Sequence, residues 1–187
     1  MYRRGKFSLL QNLLRLTVQV IDDHAYVSLQ DCVAHLLSFS HNFSTMNYKR
    51  VSTTTTVQKI TESKAVQYIR ERAVAVMKND PIVVLYCTES SNDFDPKVST
   101  KANRQSCWIK TVTILSCNTF DTVDKRSSTF PIAVGKKGHS HEAVELAFAN
   151  ELDRLRSGKC CFYYKSSSCI VPVYLELMVS LQDQLER

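Results

Sequence analysis

The densest run of candidate reactive side chains is His139-Ser140-His141-Glu142. Two imidazoles beside a carboxylate could hold a metal or move a proton. A zinc-protease helix, however, spaces its histidines at i and i+4 with the glutamate between them. A zinc deaminase needs H-x-E followed by P-C-x-x-C. Neither pattern is present. The run therefore reads as a helix start, with Ser140 as its cap and two exposed histidines. Asp93 and Asp95 flank Phe94 ahead of Pro96. Paired carboxylates can bind a cation or run acid–base chemistry, but these have no histidine or glycine-rich turn beside them and read as a solvated acidic loop. Cys87 or Cys160 could act as a nucleophile only with a histidine brought close by the fold. Zinc would need Cys160, Cys161, His139 and His141, whose spacing fits no standard finger. No catalytic residue, metal or cofactor is expected, nor a small-molecule substrate, so the chain reads as a protein that is not an enzyme.

The basic residues are more coherent. Arg3, Arg4 and Lys6 form one group, Lys49 and Arg50 a second, Lys125 and Arg126 a third, and Lys136 and Lys137 a fourth. All fall at element ends or in loops. Tyr2, Phe7, Tyr48, Phe130, Tyr163 and Tyr164 lie near several of them. Basic loops beside aromatics suit phosphate backbones or anionic headgroups. The whole chain carries 24 Lys and Arg against 18 Asp and Glu, a net charge of +6, which favours acidic partners such as RNA, DNA or anionic lipid. No RRM, KH, OB or zinc-finger signature names a module.

The elements that must position these residues alternate between helix and strand. The 187 residues suit one domain. A hydrophobic fraction of 44% excludes a disordered chain, and only 4 Gly and 4 Pro make glycine-cradled nucleotide sites improbable. The seven cysteines, Cys32, Cys87, Cys107, Cys117, Cys160, Cys161 and Cys169, include no CxxC pair. Most of them read as buried, reduced thiols of a cytosolic protein. No secretory signal opens the chain, and no apolar run reaches the ~18 residues of a membrane span.

Residues 1–12 read as a basic arm and 13–187 as one globular unit. Leu14, Leu16, Val18 and Val20 alternate with Arg15, Thr17 and Gln19, the period of a half-buried strand. Asp22-Asp23-His24 gives a turn, and Ser28 opens a helix through Leu29, Cys32, Val33, Leu36 and Leu37. Lys49–Ile60 holds Thr53–Thr56 and reads as an exposed or edge strand. A helix follows from Ser63 to Lys78, with Val66, Ile69, Ala73 and Met77 as its stripe. Ile82–Cys87 is a buried strand. Residues 88–106 are polar and aperiodic and read as a long functional loop. Cys107–Cys117 and Phe130–Val134 are strands, and Gly135–Gly138 is a basic turn. A helix from Ser140 carries Val144, Ala147, Phe148, Glu151, Leu152 and Leu155. Cys160–Tyr164 and the alternating Val171–Leu181 close the chain as strands. The sum is an α+β domain with a mainly antiparallel sheet and about three helices on one face. Self-association is expected through the Thr53–Thr56 edge or the 88–106 loop.

The stretch LLRLTVQVIDDHAYVSLQDCVAHLLSF, Leu13 to Phe39, resembles the opening of the globular domain of rhabdovirus matrix proteins. Length and positive charge agree with the shorter, plant-infecting members. Two features depart from the family. Arg3-Arg4-Gly5-Lys6 stands in place of a long lysine-rich arm, and no PPxY or PTAP-type motif is present. The resemblance implies a structural protein that self-associates, coats the nucleoprotein–RNA coil and contacts the inner leaflet of an envelope. It would then reside in the virion and the host cytoplasm, peripheral to a membrane. The alternative from the residues alone is a small basic RNA-binding regulator in the cytoplasm, such as a viral silencing suppressor or accessory protein.

Overall fold

The computed structural model describes residues 16–39, 64–77, 83–94, 106–116, 129–165 and 168–182. Its first element is a hairpin of β1 (Val18–Ile21) and β2 (His24–Val27). Asp22 and Asp23 join the strands with φ of 42° and 63°. Two successive left-handed residues are what a type I′ hairpin turn requires, and aspartate tolerates them better than branched side chains do. His24 thus belongs to a strand rather than to the turn. Both faces of β1 are largely open: Val18 and Val20 are 62% and 78% exposed, Thr17 and Gln19 are exposed as well, and Leu16 just before the strand packs against the core. Alternation gave the strand, but neither face of it is buried as expected.

Helix α1 (Leu29–Phe39) and helix α2 (Lys64–Met77) follow. Next come β3 (Val83–Phe94), β4 (Cys107–Ser116) and β5 (Thr129–Lys136). Helix α3 (Glu142–Arg156), β6 (Cys161–Tyr164) and β7 (Cys169–Gln182) complete the described elements. The strands form a seven-stranded sheet in the order β1-β2-β5-β4-β3-β7-β6. Every neighbouring pair is antiparallel except β3 and β7. The α+β class with a mainly antiparallel sheet is therefore present.

The helices do not share one face. Leu85 and Cys87 of β3 pack with Leu29, Val33 and Leu37 of α1 and Phe148 and Leu152 of α3. Val84 and Tyr86, the alternate residues, pack with Val66, Ile69 and Ala73 of α2. Successive strand residues point to opposite faces, so α2 covers the side that α1 and α3 leave open. The continuous apolar run at Ile82–Cys87 reflects this double burial. The same holds for β7, where Val173 and Leu175 are buried on one side and Tyr174 and Glu176 on the other. The alternation of Val171–Leu181 suggests a half-buried strand, but Tyr174 and Glu176 are buried as well.

Part of the loop expected at 88–106 is strand. Thr88–Phe94 continue β3, in register with β4 from Thr113 to Cys107. The polar side chains pair across the ladder, as in Ser90 Oγ and Thr111 Oγ1 at 2.8 Å. Backbone pairing satisfies this strand without apolar periodicity, which is why its sequence looks like a loop. Residues 95–105, the basic arm 1–12 and Thr53–Thr56 lie outside the described residues.

Candidate functional site

At one end of the sheet β3 finishes, β4 begins, and β5 runs into α3. The inward side chains here come from β2, β4 and the residue before α3. His24 is fully buried. Its Nδ1 lies 2.7 Å from the carbonyl oxygen of Asp22. A carbonyl only accepts, so this nitrogen carries the proton. Nε2 of His24 is then the acceptor for Nδ1–H of His141 at 3.0 Å. His141, the N-cap residue of α3, stacks on Trp108 with ring centroids 3.9 Å apart and planes 9° from parallel. His24 meets the same indole edge-on at 5.7 Å. Gly135 of β5 makes room for this arrangement, since a Cβ there would lie 1.9 Å from Cδ2 of His24. Of the two histidines expected to be exposed, His139 is exposed and His141 is not. No sequence spacing could join His141 to His24, which lies 117 residues away. Ser140 contributes a long contact, its Oγ accepting from the Glu142 N–H at 3.4 Å.

One step further along the same face, Lys110 of β4 is 2% exposed. Its Nζ lies 2.6 Å from Oε2 of Glu89 on β3 and 2.6 Å from Oε2 of Glu145 on α3. The bond to Glu145 is an aligned hydrogen bond. Glu89 pairs by proximity, without hydrogen-bond alignment at that oxygen. Nζ also stands 4.6 Å over the ring of Phe148. A lysine between strands and helix, hydrogen-bonded to Glu145 and ion-paired with Glu89, ties α3 to the sheet. Sequence reading missed it, because a charge in an alternating strand is ordinarily placed on the solvent face. The signal was there in register: Trp108, Lys110, Val112 and Ile114 share one parity.

Two other carboxylates hold helices. Glu151 of α3 accepts from Ser28 Oγ at 2.8 Å and from the Gln30 N–H at 3.2 Å, at the start of α1. Together with burial it pushes the Tyr26 hydroxyl well above the ordinary phenol range. Glu176 of β7 is gripped by Arg156 from α3, whose Nε donates at 2.7 Å, and by the Tyr174 hydroxyl at 2.7 Å. Arg72 of α2 approaches the same carboxylate at 3.8 Å. One glutamate thus meets helices from both faces.

The candidate nucleophiles sit in unactivated surroundings. Burial, with Glu89 beside it, pushes the Cys87 thiol up to about 12. Cys32 is likewise pushed to about 12 by burial and then by Asp31 and Glu151. Burial and the neighbouring Cys161 raise the Cys160 thiol. A reactive cysteine shows the opposite displacement. Asp93 faces Lys137 at 2.8 Å. Cys160 and Cys161 follow the C-terminus of α3, whereas His139 and His141 precede its N-terminus. Fifteen helical residues, roughly 22 Å of rise, separate the two pairs. Among the described residues no group of three or more His, Cys, Asp or Glu is placed to hold a metal ion. No described helix is long and apolar enough to cross a membrane.

Of the predicted polyanion contacts, Lys136 and Lys137 are described. Both are exposed, beside Cys107 at the same end of the sheet as the histidine pair. Arg3, Arg4, Lys6, Lys49, Arg50, Lys125 and Arg126 lie outside the described residues. No protein-family model matches the chain, and no curated protein matches it.

Proposed function

We propose that this chain is a non-enzymatic, self-associating structural protein that binds polyanions, joining RNA or a nucleoprotein–RNA complex to an anionic membrane surface as a matrix protein does. The basic balance of the chain carries the reading: a net charge of +6, with Lys136 and Lys137 exposed at one end of the sheet. Dispersed cations neutralise phosphates and read no bases, so the binding is salt-sensitive and indifferent to sequence. The internal polar groups support the same view. Lys110, Glu89, Glu145, Glu151 and Glu176 are engaged with one another or with helix ends and hold elements in place. The resemblance of Leu13–Phe39 adds the matrix-like role, with a place in the virion and at the inner face of a membrane.

The N-terminal arm is assigned to the membrane. Arg3, Arg4 and Lys6 offer ~1 kcal/mol each near an anionic surface, so one copy binds weakly and an assembled array firmly. Flotation with anionic liposomes and binding to single-stranded RNA, each before and after Arg3→Glu/Arg4→Glu, test this together. The expected result is flotation of the parent and its loss in the variant, with RNA binding largely retained. Strong RNA binding with no flotation of the parent protein would overturn the membrane-bridging role and leave the RNA-binding regulator.

A further inference from the structure

We propose that copies of this chain join head to tail through the two ends of the sheet, β1 of one copy pairing antiparallel with β6 of the next. The inference rests on the self-association proposed above and names its surface and its partner, a second copy. Among the described residues β1 pairs only with β2 and β6 only with β7, so these strands end the sheet. They read VQVI and CFYY, with no lysine, proline or bulge to discourage pairing. Their directions follow from the ladder. Strands β1, β5, β3 and β7 run one way, and β2, β4 and β6 the other. A second copy set beside the first with the same face up therefore meets it as an antiparallel pair, the more stable kind.

Backbone, side chains and charge select the same register. Asp22-Asp23 is a two-residue turn, which closes on a hydrogen-bonded pair, Ile21 with His24. Backbone groups alternate in direction along a strand, so those of Val18 and Val20 point away from β2. On β6 the Cys160 carbonyl accepts from the Val173 N–H at 3.0 Å, toward β7. The backbone groups of Cys161 and Tyr163 therefore point outward. The side chains of the same residues are exposed, Val18 by 62%, Val20 by 78% and Tyr163 by 47%, with Cys161 exposed as well. Gln19 and Ile21 share the side of buried Tyr26 and His24, and Phe162 and Tyr164 pack toward α1 and α3. Val18, Val20, Cys161 and Tyr163 thus lie on the opposite sheet face, the one that carries α2. Pairing Val18 with Tyr163 and Val20 with Cys161 lets each pair exchange both N–H···O bonds and sets the side chains together on that face. The charges agree. Asp22 falls opposite Lys159, both exposed. At the other end Lys165 falls opposite Leu16, next to Thr17, whose N–H donates to Asp31 Oδ2 at 3.4 Å. Joining β1 to β1 would gather only these acids, and β6 to β6 only these lysines, so complementarity favours head to tail.

The test uses the full chain and sedimentation over a concentration series. The parent should form species that grow with concentration. Val20→Lys blocks one edge and Tyr163→Lys the other. Each variant alone should associate at least about tenfold more weakly than the parent, while an equimolar mixture should form a 1:1 dimer that grows no further, since one open edge of each kind remains. Val20→Cys tests the register. A hydrogen-bonded pair sets its Cα atoms about 5.5 Å apart, inside the disulfide range of about 4.4–6.8 Å. Oxidation by air with copper–phenanthroline should give a ladder of linked multimers whose linked peptides join positions 20 and 161, and adding Cys161→Ser should remove it. Within one copy β1 and β6 are six strand spacings apart, roughly 29 Å at about 4.8 Å each, so such a link joins two copies. The proposal is overturned if the parent associates but both lysine variants associate equally well, if their mixture gains no dimer, or if no 20–161 link forms. Self-association then stands on another surface. A parent that stays monomeric at high concentration overturns both this join and the self-association beneath it. Val20 is 78% exposed, so Val20→Cys leaves the packing alone, and its link decides even if a lysine variant does not fold.

Discussion

Replacing Lys110 with methionine separates the two ion pairs at the centre of the scaffold. The side chain is 2% exposed and its partner Glu89 9%, while Glu145 is 41% exposed. Methionine keeps the stem and its packing against Phe148 but leaves the Glu89 carboxylate buried without its partner. Removing one member of a buried pair costs about 3–5 kcal/mol, because the other charge is stranded. Glu145 can turn to water, so its bond counts as that of an exposed pair, about 0–1 kcal/mol. Lys110→Met should therefore cost about 3–5 kcal/mol at neutral pH, and Glu145→Gln no more than about 1 kcal/mol. The double variant Lys110→Met/Glu89→Gln strands no charge and should recover about 2 kcal/mol or more of the loss. Urea unfolding followed by far-UV circular dichroism and by Trp108 fluorescence measures all four proteins. A loss below about 1 kcal/mol in Lys110→Met would refute the reasoning, as would a double variant whose loss equals the sum of the single changes.

Two further outcomes follow from the packing. Gly135→Ala would place a Cβ 1.9 Å from the buried His24 ring. It should destabilise the fold by about 1–3 kcal/mol, as overpacking does, and shift Trp108 emission; thermal unfolding of an unaltered protein would contradict this. Buried Cys32 and Cys87, with thiols pushed from the ordinary 9.0 to about 12, should resist a thiol reagent at pH 8 that modifies exposed Cys161 and Cys169. Below pH 9 both folded and unfolded states keep these two protons. Between about 9 and 12 the unfolded chain loses them first, so stability should fall with rising pH in that window. Replacing both cysteines with alanine should flatten that fall, as denaturant unfolding against pH would show.

Local patterns were legible where burial is one-sided and helical. The stripe Val66, Ile69, Ala73 and Met77 is the buried set of α2. Val144, Phe148, Leu152 and Leu155 are the buried set of α3, within the stripe read for it. Glu151 stood in that stripe for a reason that only the structure supplies: it caps α1. The strands were harder. A period of two says that two faces differ, but not that either meets the core, and Val18, Gln19 and Val20 of β1 are all exposed. Thr88–Phe94 hid as a loop because hydrogen-bonded polar pairs need no apolar residues. The side of the sheet covered by α2 is a matter of connection, not of amphipathicity. The histidine pair and the Lys110 cluster were illegible because each joins residues far apart in the chain, 117 positions for the histidines and 35 for Lys110 and Glu145.

The binding of the full chain to single-stranded RNA, measured across a salt series, bears most directly on the proposed polyanion binding. Each neutralised phosphate contributes about −0.7 to the slope of log affinity against log salt. A handful of contacts by the basic segments should therefore give a slope of about −3 or steeper, alike for unrelated sequences. Lys136→Ala should make that slope shallower by about 0.7, one contact's worth. An affinity unchanged between low and moderate salt, or tight binding confined to a single sequence, would contradict the account of a basic chain that binds polyanions without reading sequence.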